Sequence, residues 1–256
     1  MSNFSDLHIY FGGAGFSCAF YIGVVKALQE KFPNQIPKIS GDSAGSLIGL
    51  AYALNIHWTK LKQIYLESLQ IQKLRNNKIW FGEITKDHGF IIDSFLKTSD
   101  FNIIKNNDKF NVGVTHFFYN YKSYTNWTSK YQLKNILNQS MIIPFLTKTQ
   151  FTLQIDGGLS NYNSYDVSIG CSQNYDIGLY QTNYEKLNMI TPDKMNKLIE
   201  LGYNTTKQFD FNNYTINRRL LIEKQSLFNS YNLIIIMITW FLKFLSFPFK
   251  LLNIIK

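Results

Sequence analysis

Hydrophobic and polar positions along the chain follow the two periods that are typical of an α/β protein. Short apolar or alternating runs bounded by turn residues predict strands at 7–11, 36–40, 109–119, 121–128, 151–155 and 164–172, with the fifth strand running into a glycine turn within 151–161. Longer runs with helical spacing predict helices at 16–32, 44–56, 58–70, near 91–98, 130–144 and 192–209. The last helix is expected to begin near Pro192 and to be broken at Gly202. Because strands and helices alternate, we predict one α/β domain built on a parallel sheet.

Residues 233–256 differ from the rest of the chain, since they are mostly apolar and carry lysines but no acidic residue. The uninterrupted apolar run is about ten residues, short of the roughly 20 that a membrane-spanning helix needs. Polar residues recur every three or four positions: Thr239, Lys243, Ser246, Lys250 and Asn253. This single stripe predicts a membrane-associating helix lying in the plane of the membrane, with Pro248 kinking it. A spanning tail and a helix packed on the domain are the alternatives.

Composition narrows the class of protein. The formal net charge is +9, but no long block of Lys and Arg indicates a nucleic-acid-binding arm. The surplus of positive charge instead suits anionic lipid headgroups.

Cys18 and Cys171 lack the spacing of a metal site, and we expect two free thiols, with a single disulfide as the alternative. The N-terminus has no signal-peptide pattern, so we expect a cytoplasmic, membrane-associated protein.

A glycine-rich turn, Gly12-Gly13-Ala14-Gly15, follows the first predicted strand and precedes a helix. Several backbone N–H groups at a helix N-terminus form an anion site, which suits a phosphate or the oxyanion of an acyl-transfer intermediate. The dinucleotide fingerprint requires a third glycine where this chain has Cys18. The pattern therefore favours the oxyanion over a nucleotide.

The second motif is Gly41-x-Ser43-x-Gly45, between a predicted strand and a predicted helix. This context is typical of a nucleophile elbow, in which small neighbours let the strand and the helix pass close together. The alternative is an ordinary serine in a tight turn. A third motif, Asp156-Gly157-Gly158, ends a strand, and ligands of open α/β sheets bind at such an edge.

These motifs resemble those of the patatin-like phospholipase family, and most of all its adipose triglyceride lipase and adiponutrin branch. The resemblance rests on YFGGAGFSCAFYIGVVKAL, GDSAGSL, VGVTHFF, NQSMIIPF, IDGGLSN and ELGYNTTKQF, in this order along residues 7–209. It implies a three-layer fold with a central, mostly parallel sheet and helices on both faces. Together with the pattern of the tail, it predicts an acyl hydrolase domain at residues 1–210, a connecting region at 211–231 and the hydrophobic tail at 232–256.

The resemblance further implies a mechanism without histidine, cofactor or metal. Ser43 is then the nucleophile, Asp156 is the base that accepts its proton, and Gly13, Ala14 and Gly15 donate backbone N–H groups to the oxyanion. The expected substrate is a phospholipid or glycerolipid ester. The expected partner is a membrane or lipid-droplet surface, reached through residues 232–256. Asp42 and Ala44 receive no role beyond the turn.

Two alternatives remain open from the sequence. A Ser-His-Asp esterase would need one of the four histidines as base, of which His116 is the best placed, but no histidine follows Asp156 in the chain. The other alternative is a patatin-like protein that binds lipid without turnover.

Overall fold

A seven-stranded sheet forms the centre of the domain in the computed structural model. The structure describes residues 3–74, 83–116, 120–142, 154–157, 165–171, 175–179 and 190–211, and side chains within these ranges except those of 72–87 and 154–155. The strands are β1 (His8–Phe11), β2 (Lys38–Gly41), β3 (Phe110–His116), β4 (Asn120–Tyr124), β5 (Gln154–Asp156), β6 (Val167–Gly170) and β7 (Ile177–Gly178). Their order is β4-β3-β2-β1-β6-β7, and β5 pairs with β3.

The sheet is mostly parallel, as the alternation of strands and helices predicted. Strand β1 pairs in parallel with both β2 and β6, β2 with β3, and β6 with β7. Only β4 and β5 run antiparallel, and both pair with β3. The predicted hairpin of β3 and β4 is therefore confirmed, whereas the pattern did not predict the two-residue strand β7.

Six α-helices accompany the described strands: α1 (Ala19–Lys31), α2 (Ala44–Ala53), α3 (Trp58–Leu74), α4 (Glu83–Thr98), α5 (Lys130–Ser140) and α6 (Pro192–Gln208). A 3₁₀ turn, Gly15–Cys18, leads into α1. Helix α4 begins at Glu83, earlier than the helix predicted near 91–98. Thr191 caps α6 by accepting a hydrogen bond from the Lys194 N–H, and Pro192 follows directly.

One part of the hydrophobic core lies between α2 and one face of the sheet. Side chains of Ile9, Phe11, Ile39 and Phe110 are fully buried, and strand register places them on the same face. A Cβ atom at Gly49 of α2 would lie within 3.8 Å of the side chains of Phe11, Ile39 and Phe110. The apolar helix thus packs directly on β1, β2 and β3.

The predicted break at Gly202 is wrong, because α6 continues through this residue to Gln208. Gly202 is instead a point of close approach between α6 and α1. A Cβ atom at Gly202 would overlap the backbone oxygen of Phe20, and one at Gly23 would overlap that of Ile199. The missing side chains allow the two helices to cross at short range, which outweighs the low helix propensity of glycine.

Replacing Gly202 with alanine is expected to lower the free energy of unfolding by about 1–3 kcal/mol, because the added methyl group forces α6 away from α1. Gly89 in α4 is a matched control, since a Cβ atom there meets nothing within 4 Å. Gly89→Ala should be neutral or stabilise by up to about 1 kcal/mol through helix propensity. Urea titration of both variants measures the difference, and equal effects at the two glycines would contradict the close crossing.

The predicted membrane-associating tail, residues 232–256, lies outside the described residues, as does nearly all of the connecting region from residue 211 onward. In the ranges that are described, no helix is both long and apolar enough to cross a membrane.

Candidate active site

Ser43 occupies a strained turn between the end of β2 and the start of α2. Its backbone has φ 53° and ψ −134°, and a positive φ is uncommon for a residue with a side chain. Such strain is typical of a nucleophile elbow, which lifts the serine away from both the strand and the helix. Ser43 is only half-buried, whereas Gly41, Asp42 and Gly45 around it are buried.

The two glycines of the turn allow the chain to fold back on itself. A Cβ atom at Gly45 would overlap the backbone oxygens of Phe11 and Gly12 at the end of β1. A Cβ atom at Gly41 would lie 2.7 Å from the Gly45 oxygen. The first turn of α2 therefore packs directly on two strand ends. This close packing requires small residues at positions 41 and 45, as the sequence predicted.

The glycine-rich loop lies beside this serine. A Cβ atom at Gly13 would be 3.5 Å from the Ser43 Cβ and 4.0 Å from the Ser43 Oγ. Gly15 has φ 54°, in the region that favours glycine, and begins the 3₁₀ turn that leads into α1. Ala14, between them, is buried. The structure thus brings the predicted oxyanion loop and the predicted nucleophile together.

Asp156 reaches the same end of the sheet from the opposite direction. Strand β2 ends at Gly41, which pairs with Val112 of β3, and Asp156 of β5 pairs with Val114 of the same strand. Two residues along a strand correspond to about 7 Å. Because β5 runs antiparallel to β3, its carboxyl end points toward the carboxyl end of β2. Asp156 is buried, and its backbone oxygen accepts a hydrogen bond from Thr115 Oγ1 at 2.9 Å.

The C-terminal end of α5 contacts both predicted catalytic residues. Ser140 Oγ accepts a hydrogen bond from the Ser43 N–H at 3.0 Å. Two residues later, the Ile142 oxygen accepts one from the Asp156 N–H at 2.8 Å. Sequence reasoning assigned no role to Ser140, although its place in a Ser-x-x-x-Pro helix end was part of the resemblance. One short segment therefore fixes the backbones of Ser43 and Asp156.

Replacing Ser140 with alanine is expected to slow the reaction of Ser43 with a fluorophosphonate probe about threefold to tenfold. The change leaves the Ser43 N–H without its buried acceptor, which loosens the strained turn at a cost of about 1 kcal/mol. Ser68→Ala is the matched control, because Ser68 is equally buried but donates to the Tyr65 oxygen in α3. Equal labelling rates in the two variants would show that Ser140 does not hold the nucleophile.

A family model for patatin-like phospholipases matches residues 9–167, a stretch that contains the glycine-rich loop, the serine turn and Asp156. The chain belongs to the patatin-like phospholipase family. Members of this family are lipid acyl hydrolases, and the α/β fold with a central, mostly parallel sheet agrees with that membership. A search of curated proteins finds no significant match.

Two solved structures are similar to this patatin-like chain. One is the ExoU–SpcU heterodimer from the type III secretion system of Pseudomonas aeruginosa, with 12% identity and a TM-score of 0.46 over 87% of this chain and 52% of that chain. The other is VipD from Legionella pneumophila, with 13% identity and a TM-score of 0.44 over 82% of this chain and 67% of that chain. The patatin-like chain thus spans about half the length of the first.

Three histidines of the patatin-like domain, His8, His57 and His116, have partners other than Ser43. His8 Nε2 lies 2.7 Å from Ser40 Oγ, and His57 Nδ1 lies 2.8 Å from Thr59 Oγ1. His116 Nε2, the best candidate for a triad, lies 2.8 Å from Tyr124 Oη across the β3–β4 hairpin. Burial lowers the pKa of His88, in α4, to about 4, so its ring is neutral at pH 7.

The remaining candidate groups are possible metal ligands, the two cysteines and the glycines after Asp156. The described ranges contain no group of three His, Cys, Asp or Glu residues that could hold a metal ion. Cys18 and Cys171 are buried and form no disulfide within the described ranges, and burial raises the pKa of Cys18 to about 12. Such a thiol stays protonated and unreactive. Gly157 is buried beside Asp156, whereas Gly158 lies outside the described residues.

Proposed function

We propose that this protein cleaves fatty-acyl esters of phospholipids or glycerolipids through a dyad of Ser43 and Asp156. The observation that carries the proposal is the strained, half-buried Ser43, with Gly13 of the glycine-rich loop against it and the end of α5 bonded to both Ser43 and Asp156. Nucleophile, oxyanion donors and base are the three parts that ester hydrolysis by a serine requires.

In the first step, the Asp156 carboxylate accepts the hydroxyl proton of Ser43 while Ser43 Oγ attacks the ester carbonyl. The carbonyl oxygen becomes an oxyanion, which accepts hydrogen bonds from backbone N–H groups of residues 13–15. One such donor contributes about 3–4 kcal/mol in comparable hydrolases. Because the donors are backbone groups, Ala14 can serve as well as a glycine.

In the second step, the tetrahedral intermediate collapses and the bond to the alcohol breaks. The alcohol leaves with the proton that Asp156 had accepted, and the fatty acyl group stays on Ser43. Asp156 then accepts a proton from a water molecule, which attacks the acyl-enzyme. When the bond between the acyl group and Ser43 Oγ breaks, Asp156 returns that proton to Ser43 Oγ and the fatty acid is released. The hydrogen bonds that His8, His57 and His116 make elsewhere support a dyad over a triad.

The substrate class follows from the family and from the branch that the motifs resemble. Phospholipid hydrolysis fits the family, and the resemblance to the adipose triglyceride lipase and adiponutrin branch adds neutral glycerolipids. Incubating the full chain with phosphatidylcholine vesicles and, separately, with a triolein emulsion tests this, with free fatty acid as the readout. Release from either substrate supports the proposal. Lipid binding without release from either would favour a protein that binds lipid without turnover.

We also propose that residues 232–256 bring the active site to a membrane or lipid-droplet surface, because an enzyme for lipid esters must reach an interface. Deleting these residues should move the protein from the pellet to the supernatant when it is sedimented with vesicles rich in anionic phospholipid. Labelling of Ser43 by a soluble fluorophosphonate should not change. A truncated protein that still sediments with the vesicles would contradict this role of the tail.

A further inference from the structure

Asp42, the residue before the nucleophile, carries a fully buried carboxylate. Tyr10 Oη donates a hydrogen bond of 2.6 Å to Asp42 Oδ2, and Tyr121 Oη donates one of 3.1 Å to Asp42 Oδ1. Tyr10 lies on β1 and Tyr121 on β4, and β2 and β3 lie between these two strands in the sheet. The carboxylate thus links the serine turn to two strands that do not contain it.

Both tyrosines remain proton donors in this arrangement. Burial is the main cause that raises the pKa of Tyr10 and of Tyr121 far above the ordinary value, and the nearby Asp42 carboxylate is the second cause. A buried carboxylate is costly unless hydrogen bonds replace its lost hydration. The two hydroxyl groups supply this replacement. The arrangement is therefore a built polar cluster rather than an acidic residue placed in the core by chance.

The same carboxylate packs against the strand that carries Asp156. A Cβ atom at Gly157 would lie 2.9 Å from Asp42 Oδ1, and one at Gly113 of β3 would overlap both Asp42 Oδ1 and Tyr121 Oη. Gly157 directly follows Asp156. The Asp42 carboxylate therefore lies between the serine turn on one side and the turn after Asp156 on the other.

We propose that Asp42 is a positioning residue, whose carboxylate, held by Tyr10 and Tyr121, fixes the distance and orientation between Ser43 and Asp156. This inference rests on the proposed function and replaces the sequence-based view of Asp42 as a turn residue without a role. Proton transfer from Ser43 to Asp156 needs the two groups in near-attack geometry, and a displacement of about 1 Å can cost about 100-fold in rate. In the proposed reaction of Ser43 and Asp156, Asp42 touches no reacting atom.

The test compares fluorophosphonate labelling rates and ester-hydrolysis kinetics of the full chain with those of Asp42→Asn, Tyr121→Phe and the double variant. Asp42→Asn keeps the size of the side chain but replaces one acceptor oxygen with a donor. It should lower kcat about 10- to 100-fold while KM changes less than about twofold. Tyr121→Phe should lower kcat about threefold to tenfold. If Tyr121 acts through Asp42, the double variant is no slower than Asp42→Asn.

Asp166→Asn is the matched control. Asp166 also accepts a hydrogen bond, from the His8 N–H at 2.7 Å, but at the amino end of β1, away from the serine turn. It should keep the wild-type kcat even if its thermal stability falls. Should Asp42→Asn fail to fold, Tyr121→Phe decides the question alone, because it removes one oxygen atom.

The outcomes separate this inference from the proposed function. A wild-type protein that neither labels nor hydrolyses esters overturns both. A wild-type protein that labels, with folded Asp42→Asn or Tyr121→Phe reacting at the wild-type rate, overturns the positioning role alone. A loss of thermal stability with unchanged kcat would assign Asp42 to stability only.

Discussion

Replacing Ser43 with alanine is expected to abolish fatty-acid release, with a loss in kcat of at least about 10⁴-fold. The proposed reaction passes through an acyl group on Ser43 Oγ, and no other proposed catalytic group forms a bond to the acyl group. Removal of the nucleophile in a comparable serine hydrolase costs about 10⁶ in kcat. The folded structure should survive, because alanine removes only a half-exposed hydroxyl group from the turn. Free fatty acid measured over time from vesicles or emulsion gives the result.

Ser68→Ala serves as the control for this loss, since its hydroxyl group makes a local bond within α3. It should retain the wild-type rate. Hydrolysis that persists in Ser43→Ala at the wild-type rate would show that the strained turn is not the catalytic centre.

Replacing Asp156 with asparagine is expected to lower kcat by about 10³- to 10⁴-fold. Asparagine keeps the shape of the side chain and the backbone bonds to Ile142 and Thr115, but it cannot accept the Ser43 proton. Losses of about 10⁴ are typical when the acidic member of a catalytic serine site is replaced in this way. The matching measurement is the rate of fatty-acid release together with the rate of fluorophosphonate labelling.

His116→Ala is the informative control for Asp156→Asn. In a dyad it should leave both rates within about threefold of wild type, because His116 contacts Tyr124 in the β3–β4 hairpin. A large loss in His116→Ala together with normal rates in Asp156→Asn would instead identify a Ser-His-Asp esterase.

The local parts of the site could be predicted from the sequence because their determinants are contiguous. A strand, a sharp turn with small residues and a buried helix follow one another around Ser43. The structure has the expected strand end at Gly41, the positive φ at Ser43 and the helix start at Ala44. The glycine-rich loop was predictable for the same reason, since Gly15 both adopts a positive φ and opens the turn before α1.

Features that depend on distant residues could not be predicted in this way. Gly202 carries the local signal of a helix end, but its environment is set by Phe20, which is far away in the chain. The surroundings of Asp42 likewise come from Tyr10 and Tyr121, which only the strand order brings near the turn. Strand β7 is too short to leave a periodic pattern.

The prediction that Ser43 and Asp156 act together rested on the family resemblance, because it depends on the register of β5. Nothing in the spacing of the two residues shows that β5 pairs antiparallel with β3, in line with the end of β2. The hydrogen bonds that the Ser43 and Asp156 N–H groups donate to Ser140 and Ile142 are equally non-local.

The most direct test of the dyad is mass spectrometry of the full chain after reaction with a fluorophosphonate, with the modified residue identified by fragmentation and the rate compared in Asp156→Asn. A Ser43–Asp156 dyad predicts a single phosphonyl adduct on Ser43 in the wild type, and formation of that adduct at least about 10³-fold more slowly in Asp156→Asn. An adduct on another serine, or an adduct on Ser43 that forms equally fast without the Asp156 carboxylate, would contradict it.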